Sequence, residues 1–153
     1  MEKDNALEEG ITLAKNGEYK EALKVFEEDL QFTKNPTIMS YYAFCLAAVE
    51  KKFEQAISLC LMAIEREFFN PDIYLNLGKV YMVNGQKAIA IKAFRKGLSI
   101  DNTHPGLIKE IKGMGIRRKP IISFLHRKNI VNKHLGTLAS MWNSREVLAN
   151  SNA

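Results

Sequence analysis

Cysteine is nearly missing: Cys45 and Cys60 are the only two in 153 residues. Two thiols cannot frame a disulfide scaffold, and they are too few for a cysteine-built zinc site. Proline (4) and glycine (9) are sparse as well, which excludes collagen-like and low-complexity chains. No apolar run reaches the roughly 18 residues of a membrane helix. The start, Met1-Glu2-Lys3-Asp4-Asn5, lacks the apolar stretch of a secretion signal, so a cytoplasmic location is the expectation. Acidic residues run out late in the chain. Residues 1–105 carry 13 Lys+Arg against 15 Asp+Glu, whereas residues 106–153 carry 9 against only Glu110 and Glu146. A near-neutral body is therefore followed by a basic tail. Catalytic groups are scarce too. His126 and His134 have no carboxylate or cysteine at ligand spacing, and Gly113-Met114-Gly115-Ile116-Arg117-Arg118 follows no strand, as a phosphate-cradling loop would. The expectation is no enzyme, no cofactor and no metal.

What is present is a repeat of 34 residues. Ala22, Ala56 and Ala90 keep that spacing, as do Phe26, Cys60 and Phe94, and Leu30, Ile64 and Leu98. Gly10 and Gly78 stand two periods apart with Phe44 midway, and Gly17 and Gly85 two periods apart with Lys51 midway. Pro36, Pro71 and Pro105 close the units at nearly equal spacing. Within each unit the apolar residues recur at helical spacing in two runs, such as Ile73, Leu77, Val80 and Tyr81, then Ile89, Ala90, Ala93, Phe94 and Leu98. A break such as Asn84-Gly85 separates the runs, since glycine supplies the left-handed turn of a helix end. Each unit is thus a helical hairpin, and one hairpin cannot bury its apolar face alone. The fold class expected is all-α.

Tyr74-Leu75-Asn76-Leu77-Gly78-Lys79-Val80-Tyr81, followed by Gly85, Ala90, Phe94 and Leu98, resembles the tetratricopeptide repeat. The resemblance covers residues 3–104, as units 3–36, 37–70 and 71–104. It departs at Phe44, where a small glycine is usual, at Asp29 and Gly97, where alanine is usual, and at Ala6 and Ser40, where an aromatic is usual. It implies a right-handed superhelix of hairpins, with a groove lined by the first helix of each unit. It also implies an adaptor that binds a peptide or helix of a protein partner. On this register the groove residues are Leu7, Ile11, Tyr41, Tyr42, Cys45, Leu75, Asn76, Lys79 and Met82, with Tyr42 and Asn76 at its edge. Truncating Tyr41 should weaken binding and leave the fold intact. The positions that would grip a chaperone's carboxylate tail are Leu7, Ile11, Tyr42, Asp72 and Asn76. None is basic, so an apolar ligand suits the groove better.

After Pro105 the repeat stops. Leu107, Ile108 and Ile111 suit a capping helix within 105–115, which a terminal repeat needs. Residues 116–149 form a basic tail. Val131, Leu135, Leu138 and Trp142 mark an amphipathic helix there, and Arg117, Arg118, Lys119, Arg127 and Lys128 are weak anion-binding candidates. Residues 150–153 read as a disordered end. The tail leaves alternatives open: binding of nucleic acid or an anionic membrane, or coverage of the groove, either within the chain or between two copies in a homodimer.

Overall fold

The structure is a computed structural model that describes residues 2–28 and 33–115, with side chains from residue 7 onward. The chain divides into a unit Met1–Arg117 and a second unit Arg118–Ala153. The tail helix and Arg117, Arg118, Lys119, Arg127 and Lys128 lie outside the described residues. Every regular element described is a helix. These are α1 (Glu2–Asn16), α2 (Tyr19–Glu28), α3 (Pro36–Glu50), α4 (Phe53–Arg66), α5 (Pro71–Val83), α6 (Lys87–Ile100) and α7 (Pro105–Gly113). Helices pair within hairpins, α1 with α2, α3 with α4 and α5 with α6. The leading helices then lie side by side, α1 against α3 and α3 against α5, while α7 packs on α6. The result is the all-α superhelix of stacked hairpins.

Helix ends follow local chemistry. Pro36, Pro71 and Pro105 do not close units; each opens the next leading helix at its first turn, where the missing N–H costs nothing. A capping side chain precedes each. Asn35 Oδ1 accepts from the Thr37 and Ile38 amides at 2.9 and 3.2 Å, and Asn70 Oδ1 accepts from Asp72 N at 3.1 Å. His104 Nδ1 accepts from Leu107 N at 3.3 Å. The first and third hairpins turn at Gly17 (φ 90°) and Gly85 (φ 75°). At both, the glycine amide reaches back three residues and the next amide five, which satisfies the last carbonyls of α1 and α5. In the second hairpin Lys51 adopts the same left-handed region at φ 60°.

Packing inside a hairpin depends on backbone left bare. A Cβ at Gly10 would lie 2.6 Å from the Phe26 ring, and one at Gly78 would overlap the ring of Phe94. In the second hairpin the large and small members have changed places. Phe44 stands where the glycine is, and Cys60, fully buried, stands where the ring is. The Phe44 ring packs edge-on to Tyr19 at 5.0 Å between centroids. Gly97 also has a steric reason, because a Cβ there would come within 2.6 Å of Leu107 Cδ1 on α7. The Ala22, Ala56 and Ala90 methyls are wholly buried.

These packings generate a test by denaturant unfolding. Gly78→Ala should cost about 1–3 kcal/mol by overpacking against Phe94. Cys60→Phe should cost at least as much while Phe44 is present. Adding Phe44→Gly should recover part of that loss, so the pair is non-additive in a double-mutant cycle.

Candidate interaction surface

The inner face is the side that α1, α3 and α5 present together. Two diagonal rows of side chains cross it. In the first, the Lys15 ammonium lies 5.7 Å from the centroid of the Tyr41 ring, and the Tyr41 hydroxyl donates to Asp72 Oδ1 at 3.2 Å. The same oxygen lies 3.4 Å from His104 Nε2. Since His104 Nδ1 accepts from Leu107 N, the imidazole proton sits on Nε2, facing the carboxylate. One row thus links α1, α3 and α5 to the residue that caps α7. In the second row the Lys79 ammonium lies 5.2 Å from the centroid of the Phe44 ring.

The sequence-derived groove residues divide by depth. Leu7, Tyr41, Cys45 and Leu75 are buried and form the floor. Tyr42 is buried as well, with its ring edge-on to Phe26 at 6.4 Å. Asn76 is fully buried between α3 and α5. Its Nδ2 donates to Ser40 Oγ at 2.9 Å, and Ser40 Oγ donates to the Thr37 carbonyl at 2.7 Å. Ile11, Lys79 and Met82 are half-buried. Exposed Val83 adjoins them on α5. Tyr41 is only 3% exposed and is hydrogen-bonded, so truncating it would strike the fold, contrary to the expectation from sequence.

Burial sets the electrostatics. The Tyr41 hydroxyl is held well above its ordinary pKa, first by burial and then by the charge and hydrogen bond of Asp72. Burial also pushes Tyr74 up to about 12. The Cys45 thiol is pushed up to about 12 by burial, against a smaller opposing pull from Lys79. Burial lowers the Lys79 pKa, and Glu110 and Asp72 oppose that shift. Among the described residues no group of His, Cys, Asp and Glu could hold a metal ion, and no helix is long and apolar enough to cross a membrane.

The row from Lys15 to His104 could not be read from spacing, because its members lie one on each of four separate segments. The single local clue was Asp72 at a position where a clamp would need a cation.

Two predictions follow from the floor. Tyr41→Phe should lose about 1–2 kcal/mol in denaturant unfolding, whereas Tyr41→Ala should lose about 3–5 kcal/mol. Unfolded tyrosines ionise near pH 10, while Tyr41 and Tyr74 resist ionisation in the fold. Stability contributed by these hydroxyls is complete below about pH 10 and is lost as pH climbs above it. The unfolding midpoint should therefore fall over that range, and less steeply in Tyr41→Phe. The thiols give the second prediction. Cys45 and Cys60 should resist iodoacetamide at pH 8.5 in the native protein and react once denaturant opens it, as mass spectrometry would record.

A tetratricopeptide repeat family profile matches residues 71–104. Tetratricopeptide repeat protein 33 of Mus musculus is 31% identical over 104 residues, which is 67% of this chain and 39% of that protein. The Hsp70-Hsp90 organising protein of Plasmodium falciparum is 30% identical over 100 residues, 61% of this chain and 18% of the other. The chain thus spans well under half the length of these curated relatives. Among solved structures, the first TPR domain of Spaghetti (RPAP3) bound to an HSP90 peptide superposes with a TM-score of 0.54 at 20% identity, covering 74% of this chain and 90% of that one. Hairpin geometry, the glycine-on-ring packing and these likenesses agree: the repeat body of this chain belongs to the tetratricopeptide repeat family.

Proposed function

We propose that the repeat body holds an amphipathic peptide or helix of a protein partner along its inner face. At the coarser level the chain is a non-enzymatic protein-interaction adaptor, as its family membership implies. The observation that carries the finer reading is the inner face itself. A floor of buried Leu7, Tyr41, Cys45 and Leu75 is topped by half-buried Ile11, Lys79 and Met82. A preformed apolar floor with a few reachable side chains suits a helix or extended segment that brings its own apolar anchors. The relative named as an Hsp70-Hsp90 organiser, and the TPR domain that holds an HSP90 peptide, support peptide capture as the mode. They do not extend to the same ligand. Leu7, Ile11, Tyr42, Asp72 and Asn76 offer no cation for an acidic chain end, and the Asp72 carboxylate would repel one.

Peptides selected from a random display library against the full chain, titrated into the isotope-labelled protein, test this reading by NMR. Amide shifts should cluster at Ile11, Lys79 and Met82, and Met82→Asp should weaken binding about tenfold or more. Shifts confined to the outer surfaces of α4 and α6, around Met62 and Arg95, would overturn it.

A further inference from the structure

Lys79 is set apart from the other lysines described. Its chain is half-buried on the inner face, between buried Leu75 and half-buried Met82 on the same helix. Among the described residues its ammonium makes no hydrogen bond or ion pair, and its one close partner is the face of Phe44 at 5.2 Å. Asn76 Oδ1 is the one fully buried polar side-chain atom without a partner among those residues, so the Lys79 nitrogen is not fully buried. An ammonium has three donors, and a ring face satisfies none of them as hydrogen bonds. Removing the charge from water costs free energy that the ring returns only in part. Glu110 and Asp72 lie near enough to be felt, yet neither comes within ion-pair distance of Lys79. Burial, helped by the nearby charge of Lys109, still prevails over both and destabilises the ammonium. A carboxylate placed against this nitrogen would make a charge-assisted hydrogen bond at low dielectric, where such bonds are strong.

We propose that Lys79 is an anchor for one internal Asp or Glu side chain of the partner segment, flanked by the apolar anchors that rest near Ile11 and Met82. This rests on the groove reading above and adds the sign and register of the partner's charge. A chain-terminal carboxylate is the poorer fit. An acidic chain end calls for several converging donors, whereas the Lys15 ammonium is seated over the Tyr41 ring and Lys79 has Asp72 and Glu110 close by. A single side-chain carboxylate brings one charge and needs one cation. Phe44 belongs to the same site. The residue that breaks the glycine pattern of the second hairpin supplies the ring under the ammonium.

The test uses the full chain and random 16-residue peptides displayed in two formats, one embedded within the carrier and one ending in a free carboxylate. Embedded peptides should enrich for Asp or Glu at one fixed distance from their apolar residues. The same selection against Lys79→Met should keep the apolar residues and lose the acidic one. For a selected peptide, changing that Glu to Gln should weaken binding to wild type about tenfold and leave binding to Lys79→Met unchanged. Thermal melts of Lys79→Met, a change that keeps the chain apolar over Phe44, confirm that it is folded. Apolar peptides that enrich without an acid, or an acid that persists against Lys79→Met, would overturn the Lys79 assignment and leave the groove reading standing. Enrichment confined to free chain ends would overturn the internal side-chain assignment. Failure of any peptide to enrich would remove the groove reading, and this inference with it.

Discussion

The first and third hairpins close by placing an aromatic ring against a backbone with no side chain in the way. Phe26 lies over Gly10 and Phe94 over Gly78, at distances a single methyl group would not permit. This contact fixes how near the two helices of a pair can come. The depth of the alanine seams at Ala22 and Ala90 follows from it, and so does the alignment of the leading helices. Without that approach the inner face would have no continuous floor, because Leu7, Tyr41, Cys45 and Leu75 come from three different helices.

Once the leading helices are aligned, polar groups tie them laterally. The row Lys15, Tyr41, Asp72 and His104 spans α1, α3, α5 and the start of α7 with one ring contact, one hydrogen bond and one histidine–carboxylate approach. No member is costly on its own, since each polar atom either faces a partner or remains partly in water. Asn76 is the exception. Its amide nitrogen binds Ser40 while its oxygen is buried without a partner, a polar cost at the joint between α3 and α5. That joint is firm enough to carry it, because Asn70 also bridges Thr37 at 2.8 Å and Glu67 at 2.9 Å beside it.

The architecture was legible in the sequence because it repeats. A period of 34 with matched alanines and aromatics specifies hairpins, and the all-α superhelix follows from hairpins that must stack. The prolines were read at the wrong end of the unit, since spacing alone cannot distinguish a stop from a start. The Asn-Pro and His-Pro pairs would have, because a capping side chain before a proline signals a helix beginning. Depth in the groove was not legible either. Tyr41 and Lys79 are both assigned to the same face by register, yet one is hydrogen-bonded into the floor and the other lies half-buried over a ring. Only contacts between residues 31 to 35 positions apart separate them, and these depend on how neighbouring hairpins slide.

The exchange of Phe44 and Cys60 has a consequence for how such a chain could diversify. The three units are not interchangeable cassettes. Moving the front half of the middle hairpin into either neighbour would set two rings into one slot, and the reverse graft would leave a void where both rings are gone. Recombination within this array is therefore constrained to breakpoints between whole hairpins. The same bulky substitution that forbids shuffling inside a hairpin also sets a ring beneath Lys79, so the packing of the middle unit and the seat of that ammonium would be inherited together.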